Sequence, residues 1–220
     1  MSVILKEQQI LKGFLVIIVT NFAAMQPQFQ LTKFETELIS SAEVMLAKNR
    51  IIQKVVGLFA ALSEEYVSVA ATSLITQVNY KSPKISRGEN YLSLPYVMLD
   101  YPRNFSKKDA FAIRTFFWWG QHISIHLYLS GIYKTKYQPE VEIAINKGLL
   151  QDWFWCVNQN EWQHHFEEDN YVSMKQGFDA TPHEEGNFIK IAKKIPLHQW
   201  NSSAETLLES FRLLINIIGD

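Results

Sequence analysis

Cysteine is almost missing from this chain. A single one, Cys156, excludes an intramolecular disulfide and every CxxC zinc or redox motif. There is no glycine-rich phosphate loop, no Gly-x-Gly-x-x-Gly fingerprint and no His-Glu-x-x-His, so no motif announces a nucleotide cofactor or a metal. An excess of either charge is missing too. With 21 Lys and Arg against 22 Asp and Glu, the net charge of −1 excludes a generalised basic field, and the expectation is no nucleic-acid partner. No apolar run approaches the ~20 residues of a membrane span. The stretch Gly13 to Val19 has seven, and Asn21-Phe22-Ala23-Ala24 puts Phe22 or Asn21 where a signal cleavage site wants a small residue. We read residues 1–25 as a buried helix of a cytoplasmic protein with no membrane partner. A strand through the β-branched run at 16–20, or an atypical signal segment, is the alternative.

What is present is core material. Hydrophobic residues make up 47 % of 220 and charged residues 20 %, the composition of a folded domain rather than a disordered chain. The expected fold class is α+β in one domain spanning 1–220: an antiparallel sheet with a central hairpin at about 110–130, packed on one face by N-terminal and C-terminal helices. Residues 1–90 read as mainly helical, 91–200 as sheet-rich and 201–218 as a closing helix. Thr32-Lys33-Phe34-Glu35 has capping-box spacing, so a helix should start there. Leu31, Leu38, Met45, Ile52 and Phe59 recur every seven residues with a wide apolar flank, which suggests a long helix, or a helical hairpin broken near Lys48-Asn49-Arg50. Lys81 to Asn90 reads as a basic connector. Tyr91 to Asp100 reads as an edge strand because of Pro95. Pro139 sits where a helix could begin and run to about Leu150. Phe188 to Ile195 reads as a strand ending at Pro196, followed by a helix carrying Leu207, Leu208, Phe211, Leu214, Ile215 and Ile218.

Chemistry-bearing residues are unevenly spread. Residues 1–90 contain no Trp, His or Cys, whereas all six Trp and all six His lie between Trp118 and Trp200. The clearest element there is the hairpin of Phe111 to Trp119 with Ile123 to Leu129. Closed by a two-residue turn at Gly120-Gln121, it would put Ala112, Arg114, Phe116 and Trp118 on a core face with Ile123, Ile125, Leu127 and Leu129. The other face would carry Trp119, His122, Ser124, His126 and Tyr128, aromatic and polar at once and lacking the charged residues of a solvated face. That combination reads as a cleft for a small molecule. A three-residue loop would regroup the strands. Arg114 needs an acid, with Asp100 available, or serves as an anion anchor.

His122 and His126 are candidate acid–base groups, since imidazole exchanges protons near neutrality. On a strand their rings would be roughly 13 Å apart, too far to share a metal. Residues 152–185 hold eight acids against Lys175 alone. Within them Glu161-x-x-His164 would suit a metal only on a helix with further carboxylates, so no metal site is assigned. The segment could instead dock on Lys81, Lys84 and Arg87 or on Arg103, Lys107 and Lys108. Trp153-Phe154-Trp155 reads as core or a homodimer interface, with Cys156 buried and inert. Three functions follow from the sequence: a small-molecule-binding cleft; an enzyme with a His acid or base and an Arg anion anchor; and an interaction subunit or homodimer.

Overall fold

The computed structural model describes residues 29–72, 81–175, 178 and 186–219, together with Gln9. The expectations for residues 1–25, for 73–80 and for the acids at 179, 184 and 185 lie outside the described residues. The chain divides after Arg50 into two units.

In the first unit, helix α1 (Lys33–Ser40) opens on the expected capping box: the Thr32 hydroxyl accepts from the Glu35 amide, and the Glu35 carboxylate accepts from the Thr32 amide at 2.7 Å. α1 ends at Ser41, and helix α2 (Ala42–Ala71) follows at once, its residues from Ile51 onward belonging to the second unit. The chain breaks at Ser41 rather than near Lys48-Asn49-Arg50, where α2 runs straight through because Lys48 and Arg50, both good helix formers, flank Asn49. The heptad pattern also divides: Leu31, Leu38 and Met45 are exposed, while Ile52 and Phe59 are buried.

The second unit is an α+β fold. Its strands are β1 (Lys84–Tyr91), β2 (Leu94–Phe105), β3 (Ala110–Trp118), β4 (His122–Ser130), β5 (Phe154–Cys156), β6 (Tyr171–Ser173) and β7 (Phe188–Pro196). They form one open antiparallel sheet in the order β1-β2-β3-β4-β7-β5-β6. Helices α3 (Ile132–Asn146) and α4 (Ser203–Gly219) complete it, with a short 3-10 turn at Leu197–Ser202. Among the described residues no helix is long and apolar enough to cross a membrane.

Three sequence expectations shift here. The basic connector is itself β1, an edge strand whose Lys84 and Arg87 are the charged residues an edge tolerates. β2 is therefore internal. Its Pro95, which cannot donate to a ladder, falls opposite the stretch between Gly88 and Tyr91 where the β1 register is interrupted. Glycine at 88 lets the Tyr96 ring lie close over the strand, for a Cβ there would come within 2.6 Å of it and the ring would have to shift. α3 starts six residues before Gln138, after Gly131 at φ 57°, and tolerates Pro139 in its interior. The final helix and β7 lie where the sequence placed them.

The hairpin decides the site. β3 and β4 are joined by three residues, Trp119, Gly120 and Gln121, with Gly120 at φ 70°. Adding one residue to the turn moves each pairing by one, so Phe117 faces Ile123 and Arg114 faces His126. One face now carries Phe111, Ile113, Thr115 and Phe117 with Ile123, Ile125, Leu127 and Leu129, all buried. Against it pack α2 through Ile52, Val55, Phe59, Leu62 and Tyr66, α3 through Tyr137, Val141 and Ala144, and α4 through Leu207, Phe211, Leu214 and Ile218. Tyr66 joins the layers: its ring stacks on Phe211 at 3.8 Å and its hydroxyl lies 3.1 Å from that of Thr115, the one polar side chain on this stretch of β3.

Candidate functional site

The opposite face of the sheet carries Ala112, Arg114, Phe116 and Trp118 with His122, Ser124, His126 and Tyr128. Of the residues proposed from the sequence, Arg114, His122, His126 and Tyr128 thus share one face. Trp119 leaves it: the indole sits in the turn against Phe117, on the helix side. Arg114, grouped with the core in the two-residue register, stands beside the histidines for the same reason.

Among the described residues no helix covers this face. The segment from Val157 to Asn170 does, leaving the sheet after β5 and returning at β6. Its Glu161-x-x-His164 is not helical, so the spacing carries no shared face, and among the described residues no three His, Cys, Asp or Glu side chains gather as metal ligands. His164 lies instead against Phe116, with ring centroids 4.7 Å apart, and 5.1 Å from the His126 ring. Its amide donates to the Tyr91 hydroxyl at 2.6 Å, which ties the covering segment to the edge strand.

A polar chain runs beneath the segment. Asp100 and Arg114 are opposed on β2 and β3, and the guanidinium donates to both carboxylate oxygens, at 2.6 and 3.0 Å. Arg114 Nη1 lies 3.2 Å from His164 Nε2. A guanidinium can only donate, so Nε2 accepts and the imidazole proton resides on Nδ1. That nitrogen is 3.5 Å from Lys190 Nζ. Lys190 of β7, opposite Tyr128 and 2 % exposed, also donates to the carbonyls of Glu161, at 2.8 Å, and Gln163. Two donated bonds and one lone pair facing an N–H are the complement of a neutral amine. Burial accordingly pulls the Lys190 amine down to about 7, with the Arg114 charge adding to the effect.

The histidines are neutral for related reasons. His126 has both ring nitrogens engaged, by the Ser124 hydroxyl at 2.7 Å and the Tyr171 hydroxyl at 2.9 Å. Burial first, and then the charge Lys190 carries whenever it is protonated, hold His126 and His164 well below the usual imidazole range. Burial and Lys194 push His122 down to about 4, and His122 Nε2 has no hydrogen-bond partner among the described residues. The phenol of Tyr171 is pushed well up by burial. Cys156 is buried and its thiol is pushed up by that burial, as befits an inert side chain.

Lys190 and Tyr171 were not legible as site residues. Lys190 alternates with Ile189 and Ile191, the pattern of a solvated outer face, and only the covering segment makes it an inner one.

At the Arg114 end the cover is incomplete. A groove of about 560 Å³ opens there, lined by Lys84, Asp100, Arg103, Arg114, Tyr128 and Trp162 among others. Arg103 reaches it through a bulge. Asp100 pairs with Arg114 and Arg103 with Ala112, so one extra residue in β2 returns Arg103, and then Phe105, to the polar face. Trp162 forms the far wall, 49 % exposed, with Tyr128 and Phe105 at ring centroid distances of 6.0 and 6.4 Å and the Arg114 guanidinium 5.7 Å from its ring centre. Comparison with known protein families, curated proteins and solved structures returned no match. The functional reading therefore rests on geometry.

Proposed function

We propose that the protein binds a small organic anion in the groove at the Arg114 end of the polar face. One observation carries the reading: a guanidinium already oriented by a bidentate carboxylate faces a partly apolar groove whose volume falls within the roughly 300–1,000 Å³ usual for small-molecule sites. Pre-orientation lowers the entropic cost of fixing a long side chain on binding. Tyr128 and Arg114 keep the ligand-binding roles read from the sequence. His122 and His126 support the floor from beneath, since both are sealed from solvent.

An acid–base role for either histidine finds less support, because His126 has no ring nitrogen to spare and His122 lies under Phe166. The homodimer reading loses its proposed surface, because Trp153 and Trp155 are buried within one chain.

Thermal denaturation against a panel of aromatic carboxylates, phosphate esters and neutral isosteres tests the proposal. At 100 times its Kd an anionic ligand should add about 2.7 kcal/mol, and Arg103→Ala should weaken the effect. Equal stabilisation by the neutral isosteres would overturn it.

A further inference from the structure

The charge around the groove narrows the ligand class, and the narrowing rests on the anion-binding reading just given. Among the described residues, Lys84, Arg103, Lys107, Lys108 and Arg114 line the groove against two carboxylates, Asp100 and Glu161. Asp100 is committed to Arg114 by two hydrogen bonds. Arg103 spends Nε on the Ser82 carbonyl, which fixes its stem and leaves its two terminal nitrogens. Lys84, Lys107 and Lys108 have no ion-pair partner among the described residues. An excess of three positive charges among the described residues of one groove, in a chain whose net charge is −1, is more than a monocarboxylate balances. A phosphate monoester, with close to two negative charges and three acceptor oxygens, matches it better.

The opposite wall asks for a flat ring. Trp162 is a large aromatic left about half exposed while lining the groove, with Phe105 and Tyr128 tilted against it and the Arg114 guanidinium over one face of its ring. Exposed indole beside a cationic patch is the arrangement that stacks an aromatic base while cations hold its phosphate. We infer that the groove takes a phosphate ester of a planar aromatic molecule, the chemistry of a mononucleotide, with the ring on Trp162 and the phosphate toward Arg114, Arg103, Lys107 and Lys108.

The test is calorimetric titration of the full chain with AMP, adenosine, inorganic phosphate, benzoate and a single-stranded oligoadenylate. AMP should bind at least tenfold more tightly than adenosine or phosphate alone. The double variant Lys107→Ala/Lys108→Ala, on an exposed turn, should weaken AMP at least fivefold and leave adenosine unchanged. Trp162→Ala should weaken AMP and adenosine alike. Melting curves of both variants confirm folding. Benzoate binding as tightly as AMP, indifferent to the lysine variant, would overturn the phosphate assignment and leave the organic-anion reading standing. Oligoadenylate binding more than tenfold tighter than AMP would overturn the small-ester assignment in favour of a strand. Absence of binding by every probe, benzoate included, would remove both readings.

Discussion

The two faces of this sheet are both buried, and they are buried in different ways. The helix-side face is closed by three helices whose apolar stripes meet the odd-numbered residues of β3 and β4. The other is closed by an irregular segment that buries its own His164 among Asp100, Arg114, His122, His126 and Lys190. Burying apolar area is favourable by about 25 cal/mol per Å². Burying charges costs energy that pairing only partly returns. Seen this way, the first face holds the fold together and the second costs stability. On the binding reading proposed above, the polar chain ending at an open groove fixes the anchor before the ligand arrives.

That contrast can be broken at several points. The largest effect should come from the apolar face: Phe211→Ala removes the ring stacked on Tyr66 in a site with no exposure, and should cost about 3–5 kcal/mol in urea denaturation. Nearly as large, for the opposite reason, is Asp100→Ala. It strands a guanidinium whose side chain is only 13 % exposed and should cost about 3 kcal/mol. A loss below about 1 kcal/mol would mean that solvent reaches Arg114 freely and the polar face is not closed.

The pH dependence sharpens the comparison, because titrating groups lie almost entirely on one side. His122, His126 and His164 have folded pKa values below 6.5, so between about pH 4 and 6.5 the unfolded chain holds more protons than the folded one. Stability should therefore fall as pH drops through that window. Lys190 acts likewise at higher pH: with about 7 in the fold against 10.5 unfolded, stability should rise from about pH 7 toward 10. Above 10 the raised phenols of Tyr66 and Tyr171 reverse the slope. Lys190→Met should flatten the rise above pH 7 and leave the acid limb in place; an unchanged slope would show that the amine titrates in water. The smallest effect concerns the turn that sets the faces apart. Gly120→Ala places a side chain at φ 70° with open space around it, and should cost about 1 kcal/mol without shifting the register.

Most of the architecture was legible from the sequence, because it follows from local chemistry. The capping box at Thr32 and Glu35, the apolar stripe of α4 and the β3–β4 hairpin are all set by residues a few positions apart. The site was legible in composition but not in arrangement. Arg114, His122, His126 and Tyr128 could be named, yet their grouping depended on whether the turn held two residues or three, and Gly120 allows both. Arg103 needed a bulge that no residue type announces. Lys190 needed a covering segment contributed from elsewhere in the chain, and alternation alone cannot say whether an outer face will be roofed.

The most direct test replaces the ion pair as a unit. In the double variant Asp100→Leu/Arg114→Met, two buried charges give way to apolar groups of similar size, and stability is measured by urea denaturation beside organic-anion binding. A polar face kept for binding should leave stability within about 1 kcal/mol of the parent, or above it, while anion binding is lost. A loss as large as that of Asp100→Ala alone, with anion binding retained, would show that the pair holds the fold and that the groove works without it.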